Sequence, residues 1–285
     1  SAHEGSSVLM ALAYAQVTGK IGVASITHGP ALTNCVTALT EGARGHIPMV
    51  LLAGDTPVAN PRHLQSIDQR EVVKSTGAGF EQVRAPETIS ADLARAFYRA
   101  RVERRPIVLN IPADFMWQDT LHESRVLNVF DNPNAAAEGD ILDEAIGMIA
   151  SARRPLILAG GGAIHARDQL IRLADRLEAP LATTLKAKGL FNDHPYNMDI
   201  FGTLSTPAAY DLIAQSDCIL CFGTGLHDFT TDRGHLMRNK RIIQVDINPT
   251  AIGSGVHPDA ALCADAGLTA DIFVHWLNEA EISPS

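Results

Sequence analysis

Apolar and polar positions along this chain fall into blocks whose period changes repeatedly. Residues 6–18 carry the run Val8-Leu9-Met10-Ala11-Leu12-Ala13-Tyr14-Ala15, with so few polar breaks that it predicts a buried helix, which Gly19 closes. Residues 21–26 predict a short strand, Thr27-His28-Gly29-Pro30 a turn, 32–44 a helix, and 49–53 a strand buried on both faces. A polar loop follows at 56–64, broken by Pro57 and Pro61, then a strand at 80–84, an amphipathic helix at 89–103 and a strand at 107–111 stopped by Pro112.

The periodicity then lapses. Residues 117–139, with Asn132-Pro133-Asn134 and a run of small residues, read as a linker. A second block predicts a helix at 141–152, a strand at 155–159, a tight turn at Gly160-Gly161-Gly162 and a helix at 167–177. Strands at 181–184, 218–222 and 241–245 and a helix at 268–280 complete it. Alternating strands and helices imply right-handed crossovers. The expected fold class is α/β: two consecutive Rossmann-like domains, 1–116 and 140–285, with parallel sheets flanked by helices.

Composition narrows the function classes. The chain has 285 residues, 46% hydrophobic and 19% charged, enough for two cores. A net charge of −9 argues against nucleic acid and anionic membrane as partners. No apolar run reaches membrane-spanning length and no basic leader precedes one, so a cytoplasmic location is the default expectation. The cysteines, Cys35, Cys218, Cys221 and Cys263, are too few for a disulfide scaffold. Cys218-Ile219-Leu220-Cys221 has the spacing of a metal or redox pair, but it lies in an apolar strand with no second pair nearby, so core packing is the expectation and no metal site is assigned.

Two places carry candidate chemistry. The first block aims Glu4, His28 and the Gly29-Pro30 backbone at one edge of a parallel sheet, where α/β proteins bind ligands. On its residues alone, Glu4 is either a reactive carboxylate or an acid stabilising a helix N-terminus, and His28 is either a proton carrier or a turn histidine bonded to backbone. In the second block, strand, glycines and helix present N–H groups at Gly160, Gly161 and Gly162 to a phosphate, and Asp246 at a strand tip stands where an acid faces a ribose. The spacing is not GxGxxG, so a nucleotide site and a structural turn both stay open.

The residues His3-Glu4-Gly5-Ser6-Ser7-Val8, Thr27-His28-Gly29-Pro30-Ala31-Leu32-Thr33-Asn34 and Ile47-Pro48-Met49-Val50-Leu51-Leu52-Ala53-Gly54-Asp55 hold one register without gaps. That segment resembles the pyrimidine-binding domain of thiamine-diphosphate enzymes of the acetolactate synthase and benzoylformate decarboxylase type. Arg154-Pro155-Leu156, Ala182-Thr183-Thr184 and Val245-Asp246-Ile247-Asn248-Pro249 resemble the central domain of the same family.

The resemblance implies carbon–carbon bond cleavage or ligation on a 2-oxo acid or related carbonyl compound. It makes Glu4 the partner of the aminopyrimidine, a partly desolvated carboxylate with a raised pKa. Glu4, Gly29, Pro30 and Asn34 become cofactor contacts, while Glu4, His28 and Gln65 become catalytic candidates. A catalytic His28 points to a lyase or decarboxylase rather than acetolactate synthesis. The resemblance also implies a homodimer or homotetramer with sites between subunits, and a third domain, expected outside this chain, for the diphosphate and Mg²⁺; the chain is thus expected to be a fragment. Flavin is not expected, since Gly225 stands where flavin-binding relatives carry arginine. Two other readings stay open: a nucleotide-binding protein such as an NAD-dependent deacylase, and a non-catalytic scaffold.

Overall fold

The computed structural model describes residues 1–60, 62–120 and 135–282. The chain divides into two compact units, Ser1–Asn132 and Pro133–Ser285. Pro61 in the expected loop, and residues 121–134 of the expected linker, lie outside the described residues. Both units are α/β, and among the described residues every strand pairing is parallel, as the fold class requires.

In the first unit α1 (Glu4–Thr18) leads into β1 (Gly22–Ile26), followed by α2 (Pro30–Thr33), α3 (Val36–Arg44), β2 (Met49–Asp55), α4 (Gln69–Thr76), β3 (Gly79–Gln82), α5 (Ile89–Glu103) and β4 (Pro106–Pro112). The strands form one sheet in the order β1-β2-β4-β3. Side-chain alternation divides its core: Leu51 and Val108 pack with Val8, Leu12 and Leu39 on the α1/α3 face, while Val50, Ile107 and Leu109 pack with Ala96 and Ala100 of α5 on the other.

Three elements differ from the sequence expectation. Helix α1 is buried along one stripe only: Val8, Ala11, Leu12 and Ala15 face the sheet, whereas Leu9, Met10, Tyr14 and Val17 are exposed. The expected helix at 32–44 is two helices, because the turn tightens at Cys35, whose N–H bonds to Leu32 O at 2.9 Å. Helix α4 stands where no helix was expected: Asp68 caps it by accepting from Glu71 N–H at 3.1 Å, and left-handed Gly77 closes it.

The second unit comprises α6 (Asp140–Ala150), β5 (Pro155–Ala159), α7 (Arg167–Leu177), β6 (Leu181–Thr183), β7 (Asn197–Ile200), α8 (Pro207–Gln215), β8 (Cys218–Phe222), α9 (Asp228–Thr231), β9 (Arg241–Asp246), β10 (Ala260–Cys263) and α10 (Ala266–Glu279). Its sheet order, β10-β9-β8-β5-β6-β7, is the Rossmann order with the switch point between β5 and β8. Strands β7 and β10, at the two edges, were not expected; their residues are only half-buried or alternately buried, which weakens the apolar signal. Cys218 packs in the cluster with Leu220 and Phe273, and Cys221 in the opposite cluster with Ile219 and Ile213. Three residues apart on a strand, the two thiols therefore lie on opposite faces of the sheet, each as a core hydrophobe.

Candidate functional site

The site lies at the carboxyl ends of β1, β2 and β4, where parallel sheets open a crevice. His3 caps α1 through Nδ1, which accepts from Gly5 N–H at 3.1 Å, and this starts the helix at Glu4. The break between α2 and α3 leaves the Asn34 carboxamide free of the helix barrel, and Asn34 Nδ2 donates to Glu4 Oε2 at 3.0 Å. Glu4 borders a polar cleft of about 260 Å³ that Ser7, Ser25 and Thr27 also line.

The expectation of a raised pKa at Glu4 is corrected. Its carboxyl lies below the usual 4.5, held there by its own main-chain N–H and by the Asn34 amide, with a smaller pull from His3. The carboxylate is open to solvent, so burial opposes these bonds too weakly to win. Beneath it Cys35 is buried, and burial first, then the Glu4 charge, pushes its thiol up to about 11.

The elbow after β1 is built on Gly29, whose φ of 66° and ψ of −115° suit glycine alone. A Cβ there would stand 2.2 Å from Gln65 O, so the loop carrying Gln65 presses directly on the elbow. Gly29 O accepts from Leu32 N–H at 2.9 Å, and Pro30 O from Asn34 N–H at 3.2 Å. His28 is half-buried and stacks edge-on against His63, with ring centroids 5.3 Å apart. Its Nε2 is buried and has no hydrogen-bond partner among the described residues. An orphaned buried polar atom of this kind calls for a partner, a water or ion among them, or for a catalytic role. The structure thus brings Glu4 and Asn34 together at the cleft, and His28, Gly29, Pro30 and Gln65 together at the elbow.

Sequence reasoning missed a buried polar network beneath the elbow. Gln69, 3% exposed, accepts from Gly29 N–H through Oε1 at 2.7 Å and donates through Nε2 to Gly54 O at 2.9 Å and to Asn110 Oδ1. Asn110, 1% exposed, donates in turn to Asp55 Oδ2 at 2.6 Å and Gln82 Oε1 at 2.9 Å. The available signal was Asn110 itself, one amide inside Ile107-Val108-Leu109-Asn110-Ile111. A polar side chain in an otherwise apolar strand needs buried partners.

At the glycine turn of the second unit, two of the three N–H groups that could face a phosphate have protein partners. Gly160 N–H bonds to Phe222 O at 2.8 Å and Gly162 N–H to Gly223 O at 3.1 Å, so these two donors are spent on the neighbouring strand end. A Cβ on Gly160 would stand 2.2 Å from Gly223 O, which accounts for the glycine. The segment Gly161–Ala166 winds as a 3₁₀ turn before α7. At the tip of β9, Asp246 Oδ1 accepts from Asn248 N–H at 2.8 Å. Among the described residues no group of three or more His, Cys, Asp or Glu side chains forms a metal site, and no helix is long and apolar enough to cross a membrane.

Known proteins agree with this architecture. Residues 1–72 match the thiamine pyrophosphate enzyme N-terminal TPP binding domain, and residues 142–272 match the thiamine pyrophosphate enzyme central domain. The chain is 32% identical over 281 residues to sulfoacetaldehyde acetyltransferase of Rhodobacter capsulatus, an alignment covering 94% of this chain and 47% of that protein. It is 31% identical over 279 residues to a probable acetolactate synthase large subunit of Methanococcus aeolicus, covering 93% and 46%. A probable 2-ketoarginine decarboxylase of Pseudomonas aeruginosa is 30% identical over 274 residues, covering 94% and 49%. The chain spans about half the length of these relatives. It belongs to the thiamine pyrophosphate enzymes, as the register from His3 to Asp55 and the Arg154–Pro249 residues imply.

Proposed function

We propose that this chain forms the pyrimidine-binding and central parts of a thiamine-diphosphate-dependent enzyme that breaks or makes a carbon–carbon bond beside a carbonyl, on a small 2-oxo acid or related substrate. The observation that carries this reading is the Glu4–Asn34 pair: a carboxylate kept ionised at a cleft on the carboxyl edge of the sheet. Thiamine diphosphate, when bound, supplies an electron sink for the pair left on a carbonyl carbon.

The chain's own residues have separable tasks. Glu4, ionised at neutral pH, accepts a hydrogen bond at a carboxylate oxygen and stabilises positive charge on a ring nitrogen facing it. Asn34 holds that carboxylate in one orientation. His28, whose Nε2 is shut from solvent in the protein alone, holds or passes a proton at a substrate oxygen once that atom is uncovered. Gly29 and Pro30, whose main-chain groups are engaged within the elbow, contribute shape, and Gln65 stands over them as a polar wall. His28 favours lyase or decarboxylase chemistry over acetolactate synthesis. The diphosphate, with Mg²⁺, is assigned to a further domain in a homo-oligomer, and no flavin is assigned.

In the enzyme that carries the further domain, with thiamine diphosphate and Mg²⁺, Glu4→Gln slows deuterium exchange at the thiazolium C2 position by roughly a hundredfold, the size of losing a proton-transfer group. Exchange at the unaltered rate overturns the reading.

A further inference from the structure

The two glycines that flank His28 are joined through one side chain. Gly29 follows His28 in sequence, and its N–H donates to Gln69 Oε1 at 2.7 Å. Gly54 lies beside it in space: a Cβ on Gly54 would stand 3.5 Å from both the main-chain N and the Nδ1 of His28. Gly54 O accepts from Gln69 Nε2 at 2.9 Å. We propose that Gln69 is a positioning residue for this site, clamping with one carboxamide the two main-chain segments that enclose His28 and thereby fixing where its imidazole stands. The consequence for turnover rests on the functional reading above; the geometric claim does not.

The clamp works in one direction only. Gly29 offers a donor and Gly54 an acceptor, so Oε1 faces the first and Nε2 the second. Asn110 enforces the same orientation, because its Nδ2 is committed to Asp55 and Gln82, which leaves Oδ1 for Gln69. Every hydrogen-bonding position of the Gln69 carboxamide that the elbow needs is thereby filled, at a residue 3% exposed. It ties the Gly29 turn to the main chain of β2 at Gly54 and to the Asn110 side chain of β4, so its work falls on seating that turn against the sheet. A fully satisfied buried network of this kind holds its members in a single arrangement.

The test uses the full chain with Gln69→Met, which keeps the volume and deletes the amide, and Gln69→Glu, which keeps the shape and sets an oxygen against Gly54 O and Asn110 Oδ1. Ile107→Val, in the core of the sheet, controls for lost stability. Without cofactor, NMR of Gln69→Met, which removes the acceptor, shows the Gly29 amide proton exchanging at least about tenfold faster, as a broken buried bond demands; both Gln69 variants, the Glu variant through its lost bond to Gly54, show the His28 ring signals displaced, and Ile107→Val moves neither. In the enzyme that carries the further domain, with thiamine diphosphate, Mg²⁺ and substrate, kcat falls by about a hundredfold, the size of a misplaced reacting group, while KM stays nearly constant.

Unmoved His28 signals, or a kcat no lower than in Ile107→Val, overturn the proposal. Absence of turnover in the unaltered enzyme that carries the further domain overturns the functional reading instead, and the two NMR signals still decide the clamp. If both variants fail to fold, the unaltered chain decides it: a scalar coupling across the hydrogen bond from Gly29 N to Gln69 Cδ supports the clamp, and its absence overturns it.

Discussion

Asn34 Nδ2 donates to Glu4 Oε2 across thirty positions of sequence, at 3.0 Å. This bond joins the N-terminus of α1 to the break between α2 and α3, and it is one of the two main causes of the low pKa of Glu4.

Asn34→Ala therefore raises the Glu4 pKa toward its usual 4.5. The folded chain holds the Glu4 carboxylate ionised more firmly than the unfolded chain does. Its contribution to stability is complete above 4.5 and is lost as the pH falls through the lower folded value. A ¹³C titration of the Glu4 carboxyl carbon measures the shift directly. An unchanged midpoint in the variant would mean that the Asn34 bond does not hold the carboxylate.

Gly29→Ala strikes the elbow. The substituted residue would have to adopt φ 66° and ψ −115° with its Cβ 2.2 Å from a main-chain oxygen. The expected cost is about 3 kcal/mol or more, combining backbone strain with the displacement of the Gln65 loop. Urea unfolding gives the number, and a loss under about 1 kcal/mol, the usual cost of an ordinary surface change at most, would show that the loop yields freely.

The thiols make a chemical prediction. Cys263 is exposed, whereas Cys35, Cys218 and Cys221 are buried. Burial pushes the Cys218 thiol up to about 12 and Cys221 further still. Since the thiolate is the reactive form, alkylation of the native chain at neutral pH modifies Cys263 first and the others only after denaturation. Peptide mapping by mass spectrometry reads the order. A Cys218–Cys221 disulfide in the oxidised native chain would contradict their placement on opposite faces of the sheet.

Much of the fold was legible because long apolar blocks dominate it. The helix at Ile89–Glu103 and the strands at Pro155–Ala159 and Cys218–Phe222 fall where the pattern placed them. Edge strands β7 and β10 were not legible, since one-sided burial leaves little period to read. Helix α4 hid behind polar residues, and only the Asp68/Glu71 cap announced it. At the site, Glu4, His28 and Gly29 could be found from local order along the chain. Gln69 could not, because its role lies in contacts between segments some forty residues apart; Asn110, a lone amide in an apolar strand, showed only that a buried partner was needed. The direction of the Glu4 shift was misjudged because it depends first on the residue's own main-chain N–H and then on the Asn34 amide, at a carboxylate that burial barely touches.

The network beneath the elbow also times the assembly of the site. Its bonds span sequence separations of 40, 41 and 55 residues, linking the elbow at Gly29 with α4, β4 and β2. None of them can close until those distant segments have met, and long-range parallel pairings are the slow events of folding. The His28 elbow therefore takes its final form late, and the arrival of the Gly29 amide in its protected state serves as a clock hand for completion of the first sheet.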